Sequence, residues 1–251
     1  MITVYKYGPV GRTPDLSPFV LKLETWLRMA GIPYTGALGG RAMMPKGKLP
    51  VIDDDGQRIA DSSLIIRHLE RKHGDPLGEA QRSPQDRAMA VAMKALFETH
   101  LYFTAVHLRW SSDANFEHLK PLLLDYAVQT SRPLARTLLP RLAPLLMPAI
   151  RKKTLAQLHA QGIGRHQPQE IVQIALEGWQ AVADFLGDKP YMLGDTPSGL
   201  DAIAFAFIHT ASAPPFEHPV REQLQRMPNV MAYHDRMWQR YWAGGTAAAA
   251  G

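Results

Sequence analysis

Apolar and polar residues alternate from the start of the chain, where Ile2 and Val4, with Tyr7 beyond them, mark a first strand. Gly8 to Leu16, with two prolines and two glycines, reads as a loop. The period then changes. Phe19, Leu23, Leu27 and Ala30 recur at helical spacing, Ser17 stands as N-cap with Pro18 at the first helical position, and Gly31 takes the C-terminal cap. Ile32-Pro33-Tyr34-Thr35 opens a second strand, and Leu38 to Pro45 is a glycine-containing loop. Lys46-Gly47-Lys48-Leu49-Pro50-Val51-Ile52 then enters a short apolar strand through an X-Pro bond. Asp55-Gly56 supplies the positive φ angles of a tight hairpin turn. Ala60-Asp61-Ser62-Ser63 follows the return strand, and Ser62 or Ser63 caps a helix bearing Leu64, Ile65, Ile66 and Leu69. The pattern predicts a βαβ unit, a hairpin and a helix around a small mixed sheet.

From Gln85 onward the period is helical. Ala88 to Trp110 reads as one long run, with Ala92, Leu96, His100, Phe103 and His107 near one face. Residues 117–163 are apolar and basic, and Pro133, Pro140, Pro144 and Pro148 predict breaks rather than one straight helix. Ile171 to Leu186 is a further helix. Ser198 and Asp201 have N-cap and N3 spacing ahead of the apolar run Ala202–Ile208, which marks them as structural caps of a buried helix. Pro228 to Trp242 is a last amphipathic helix, and the low-complexity residues 244–251 are expected to be a flexible tail. The expected division is a small α/β domain at 1–76, a linker at 77–84 and an all-helical domain at 85–243.

Composition narrows the chemistry. A chain of 251 residues that is 46% hydrophobic can bury a proper core. With no cysteine there is no disulfide framework, thiolate-bound metal or cysteine nucleophile. The opening Met1-Ile2-Thr3-Val4-Tyr5 lacks the pattern of a signal peptide, and no apolar run reaches the length of a membrane span, so a cytoplasmic location is expected. The ten histidines show no ligand spacing, so no metal is expected; His100 and His107 read as core or cleft residues. The net charge of +5 is local. Arg132, Arg136, Arg141, Arg151, Lys152, Lys153 and Arg165 lie in a stretch without a single acid, which leaves the rest of the chain slightly acidic. A nucleic-acid partner is therefore not expected. Within residues 132–153, Leu142 to Ile150 are uncharged and bracketed by Arg141 and Arg151-Lys152-Lys153. That run is too short to cross a bilayer but could lie in the interface of an anionic one.

The order of these motifs resembles the glutathione S-transferase superfamily over nearly the whole chain. The wording of Ser17-Pro18-Phe19-Val20-Leu21-Lys22-Leu23-Glu24-Thr25-Trp26-Leu27-Arg28-Met29-Ala30-Gly31-Ile32-Pro33-Tyr34, with Pro45 to Pro50, is similar to its metaxin-like, failed-axon-connections branch, which has bacterial members. The resemblance implies an α/β N-terminal thioredoxin-like domain with an all-α C-terminal domain, a homodimer, and glutathione as co-substrate. It also implies roles. Ser17 would donate its hydroxyl to the glutathione thiolate, with the Tyr7 phenol in reserve. Free thiols titrate near about 8.5, and a donor at a helix N-terminus lowers that value. Pro50 would be cis and the Leu49 backbone would pair with the cysteinyl part, while Lys48 would meet the glycyl carboxylate. Asp61 and Ser62 match the acidic-Ser pair that holds the γ-glutamyl group. Phe103, His107, Trp110 and Phe116 are candidates for the wall that receives a small hydrophobic electrophile. Without a cysteine near Ser17, the thiol-transfer chemistry of the cysteine-type classes is not expected. Two classes of function follow: a transferase that conjugates or reduces an electrophile, or a non-catalytic scaffold that binds protein partners or an anionic membrane surface.

Overall fold

The computed structural model describes residues 1–213 and 215–244, so the expected tail at 244–251 lies, beyond Gly244, outside the described residues. Strand β1 (Ile2–Lys6) leads to helix α1 (Pro18–Met29) and strand β2 (Tyr34–Leu38). A single 3₁₀ turn, Arg41–Met43, precedes the hairpin β3 (Val51–Asp54) and β4 (Gln57–Ala60), and helix α2 (Ser62–His73) closes the unit. The strand order is β2-β1-β3-β4, with β1 parallel to β2 and both hairpin strands antiparallel to their neighbours. This is the predicted βαβ-hairpin-helix. Tyr7, Ile32 and Pro33 fall just outside the strands to which the pattern assigned them.

Helices make up the remainder: α3 (Pro84–Ala95), α4 (Tyr102–Ser111), α5 (Asp113–Thr130), α6 (Pro133–Gln161), α7 (Pro168–Leu186), α8 (Gly199–Ser212), α9 (Pro219–Gln225) and α10 (Pro228–Tyr241). The chain divides into two compact units. One holds residues 1–94 and 183–210 and those from 227 onward; the other holds 95–182 and 211–226.

In the first unit, Val4, Leu23, Trp26, Leu27, Ile52, Ile65 and Leu69 form a core that also takes in Ala202 of α8. A partly buried ion pair runs beside it. Lys6 Nζ lies 2.7 Å from Glu24 Oε1, which also accepts from the Tyr34 hydroxyl at 3.2 Å. The Ser198-x-x-Asp201 cap is a hub. Asp201 Oδ2 accepts from the Ser198 N–H and hydroxyl, each at 2.7 Å; Oδ1 accepts from the Met192 N–H at 2.8 Å and the Tyr233 hydroxyl at 3.1 Å. Phe205 and His209 of α8 stack with His234 and Trp238 of α10 and with Trp242. His209 lies 5.2 Å from Trp238 at 3° between planes, and its Nδ1 is 3.0 Å from His234 Nε2. Burial, then the neighbouring His234, push the His209 pKa down to about 4. Arg28 of α1 caps this column, 4.0 Å above the Trp242 ring.

In the second unit two expectations change. The run Ala88–Trp110 is not one α-helix, because Leu96–Leu101 forms a π-helical turn between α3 and α4. Here Gly178 of α7 comes so close that an added Cβ would stand 2.8 Å from Leu101 Cδ2. Prolines also fail to break residues 133–161. Pro133 starts α6 at N1, and Pro140, Pro144 and Pro148 lie inside one continuous helix of 29 residues. The reason is their spacing. Each lacks the N–H that would reach back four residues, so the carbonyls of Arg136, Pro140 and Pro144 lose their donors along one line of the helix. The three prolines are exposed, so water can serve those carbonyls, and the other lines of the hydrogen-bond ladder continue. Arg151 ties the helix down: Nε donates to Trp110 O at 2.8 Å, Nη2 to Ser111 O at 2.6 Å, and Nη1 pairs with Asp113.

Candidate active site

Strand register explains where the candidates of the first unit fall. Tyr5 pairs with Val51 and Val51 pairs with Ala60, so the end of β1, the start of β3 and the end of β4 share one end of the sheet. Tyr7 leaves β1 there, Leu49-Pro50 enters β3 there, and Asp61-Ser62 starts α2 there. Helix α1 must also begin at that end, since it returns to Tyr34, the partner of Ile2 at the other end.

Ser17 is the N-cap of α1 and is half-buried; its hydroxyl accepts from the Val20 N–H at 3.4 Å. Its hydroxyl proton is therefore free to be donated elsewhere. Beneath it lies Asp15, which the sequence reading missed. This fully buried carboxylate accepts from three backbone groups: Tyr7 N–H and Gly8 N–H at 2.9 Å each and Ser17 N–H at 2.8 Å. One carboxylate thus fixes both the Ser17 candidate and the Tyr7 reserve. Burial pushes its pKa up to about 7, opposed by the Ser17 and Gly8 N–H groups, which favour the ionised form.

The Leu49–Pro50 bond is cis, as the resemblance implied. Leu49 is buried at 5%, and Gly39 accommodates it, since an added Cβ there would meet the Leu49 side chain at 2.8 Å. Lys48 is exposed. Asp61, not either serine, is the N-cap of α2; its Oδ1 accepts from Ser63 N–H at 2.9 Å and Leu64 N–H at 3.2 Å. Its φ of 87° is rare for a residue with a side chain, and such conformations cluster at functional positions. Asp61 Oδ2 and the Ser62 hydroxyl have no hydrogen-bond partner among the described residues. Next to them Lys22 and Lys94 converge on Ser63, their Nζ atoms 2.8 and 2.7 Å from its Oγ. Lys22 is 2% exposed. The sheet end therefore offers a carboxylate oxygen, a hydroxyl, a helix N-terminus and two ammonium groups, a set that suits a zwitterion.

The other candidates belong to the second unit. His107 is buried, with Nδ1 3.2 Å from Ser111 Oγ, and burial lowers its pKa. Trp110 lies 5.9 Å from Phe116, and Phe103 lies 5.2 Å from Tyr102. Phe116 is 4% exposed beneath Arg151, whose guanidinium is 4.7 Å from its ring, so it packs in the interior. Arg109 was also missed. Its guanidinium stands 4.5 Å over Phe216 with no carboxylate partner among the described residues, and burial brings its pKa down to about 10. No cluster of potential metal ligands occurs among the described residues.

Comparison with known proteins identifies the family and the fold. The family model for the glutathione S-transferase N-terminal domain matches residues 18–115, and that for the glutathione S-transferase C-terminal domain matches 175–237. An isoprene-epoxide glutathione S-transferase of Rhodococcus sp. strain AD45 is 33% identical over 96% of this chain and 99% of its own. Failed axon connections of Drosophila melanogaster is 30% identical over 94% of this chain, which spans 57% of that protein. Metaxin-2 of Mus musculus is 23% identical over 88% of this chain and 81% of its own. Among solved structures, a glutathione S-transferase of Methylobacterium radiotolerans in complex with glutathione sulfonate superposes with a TM-score of 0.59 at 19% identity, over 100% of this chain and 96% of that one. A β-etherase of Sphingobium sp. strain SYK-6 gives 0.58 at 16%, over 94% of each. The fold is that of the glutathione S-transferases, and the chain belongs to that superfamily, in the branch it shares with Failed axon connections and the metaxins.

Proposed function

We propose that the protein binds glutathione at the sheet end and transfers its thiolate to a small hydrophobic electrophile. The observation that carries this reading is the pair of unused acceptors at the start of α2. Asp61 Oδ2, on an exposed residue, and the hydroxyl of buried Ser62 have no protein partners among the described residues, and Ser63 beside them holds Lys22 and Lys94. The γ-glutamyl ammonium goes to Asp61 and its carboxylate to Ser62, with the two lysines adding attraction. The Leu49 main chain pairs with the cysteinyl residue as an added strand would, and Lys48 takes the glycyl carboxylate. Ser17 then donates its proton to the sulfur at the N-terminus of α1, where N–H groups and the helix dipole favour the thiolate. Asp15 holds the Ser17 backbone in place.

In the reaction the thiolate lone pair forms a bond to the electrophilic carbon, and the electrons of the broken bond leave with the displaced group or, for an epoxide, on the opening oxygen. That oxygen then takes a proton from solvent. The similarity to a transferase named for an epoxide makes small epoxides the first electrophiles to try. Exposed Leu64, Met89 and Val91 supply apolar surface for the homodimer typical of such folds, which light scattering measures.

Calorimetric titration with glutathione tests the reading. Binding, with Ser17→Ala leaving affinity unchanged while lowering the thiolate absorbance of bound glutathione and the transfer rate, supports it. An unchanged rate passes the role to Tyr7 or to a backbone N–H. No heat and no thermal shift at millimolar glutathione favours the non-catalytic scaffold.

A further inference from the structure

Six of the exposed large apolar side chains, Leu134, Leu138, Leu142, Leu145, Leu146 and Ile150, lie on α6. Leu134 and Leu145 are each 75% exposed. At about 100° per residue, the first four project within roughly 80° of one another, and Leu146 and Ile150 widen the strip on one side. The opposite side of the helix carries buried Met147 and Leu158 and the Arg151 tie. Helix α6 is therefore apolar on both sides, a pattern that belongs to helices covered all round. Scattered exposed leucines need no explanation, but a contiguous strip marks an interaction surface.

Charge identifies what covers it. Arg132, Arg136, Arg141, Lys152 and Lys153 are exposed, and residues 126–169 contain no acid. By the same helical arithmetic Arg141 and Lys152 project in line with Leu134 and Leu145, with Lys153 at the margin. A second copy would bring the same cations against these, which is unfavourable. An anionic surface answers both features at once: leucines enter the apolar boundary while the long stems of Arg and Lys carry their charges up to the phosphates. Leu134 to Lys153 would lie along about 30 Å of that surface. No helix among the described residues is long and apolar enough to cross a membrane, so the attachment is in the plane.

We propose that α6 docks the protein reversibly on an anionic lipid surface, with Leu134, Leu138, Leu142 and Leu145 in the acyl boundary and Arg141, Lys152 and Lys153 on the headgroups. The proposal is independent of glutathione binding. Flotation with phosphatidylcholine vesicles, with and without phosphatidylglycerol, at low and high salt, tests it. The protein should float with the anionic vesicles only, and high salt should release it. Lys152→Gln with Lys153→Gln should weaken binding at least tenfold, since each basic residue near such a surface is worth roughly fivefold. Leu142→Glu with Leu145→Glu, at exposed positions, should abolish binding while circular dichroism and glutathione affinity stay unchanged. Failure to bind anionic vesicles at low salt, or equal binding to neutral ones, overturns the proposal. So does light scattering in which the leucine variant splits a dimer that shows no vesicle binding, because the strip is then a subunit interface.

Discussion

Removing the Asp201 carboxylate should cost far more than losing one helix cap. In Asp201→Ala, the Ser198 and Met192 N–H groups, now donating at 2.7 and 2.8 Å, are left buried without acceptors. Each such orphan costs about 1–3 kcal/mol, so the expected loss is about 4 kcal/mol. The Ser198 and Tyr233 hydroxyls also lose an acceptor, but they can rotate, and Tyr233 keeps a second contact to Asp201 O at 3.1 Å. For a chain of this size, 4 kcal/mol lowers Tm by roughly 10 °C. Urea unfolding followed by circular dichroism measures the difference, and an unchanged slope would place it in the folded state. Ser198→Ala should cost about 1–2 kcal/mol. In the double variant the two losses should fall short of their sum, because the Ser198 hydroxyl has nothing to bond once Asp201 is gone. A loss below about 1 kcal/mol for Asp201→Ala, or strict additivity with Ser198→Ala, refutes the hub.

Three further outcomes are expected. His209 has a folded pKa near 4, below its ordinary value, so its contribution is complete above about pH 6.5 and is lost as pH falls. Between about pH 7 and pH 5 the wild type should lose about 2 kcal/mol more than His209→Phe, and equal losses in urea titrations at the two pH values would exclude this. Pro144→Ala restores an N–H donor to the Pro140 carbonyl in an exposed helix interior, so thermal unfolding should show a gain of about 1–3 kcal/mol; destabilisation would mean that the proline shapes the packing of α6. Lys94→Met should weaken glutathione binding by roughly tenfold in calorimetry with little change in stability, and unchanged affinity would remove the lysine pair from the proposed carboxylate site.

The first seventy residues were legible because each feature has a local cause. Alternation gives β1, the Asp55-Gly56 turn fixes the hairpin, and Ser17-Pro18 starts α1 where a proline costs nothing. Asp61 reads as a binding residue or as a structural cap, because either role suits an acid ahead of a serine pair, and the structure makes it the N-cap. Asp15 gave no pattern: it acts through three backbone groups, and backbone groups leave no mark in a sequence. Lys22 left one, a charge among the apolar positions of α1, but only the fold shows that α2 and α3 bring Ser63 and Lys94 to meet it. The π-helical turn was hidden because it inserts no breaker; Gly178, far downstream in the chain but adjacent in space, was its trace. Helix α6 misled because proline rules describe single prolines, and here three share one line.

That shared line has a mechanical meaning. Bending a helix stretches hydrogen bonds on its outer side, and along the line through Arg136, Pro140, Pro144 and Pro148 there are none to stretch. Helix α6 therefore yields more readily along that stretch than a helix with an unbroken hydrogen-bond ladder would. Load applied to its N-terminal half is absorbed as curvature before it reaches Arg151, the anchor near the other end. The half carrying Leu134 and Leu138 can follow a moving or curved partner while the half tied to α4 holds still.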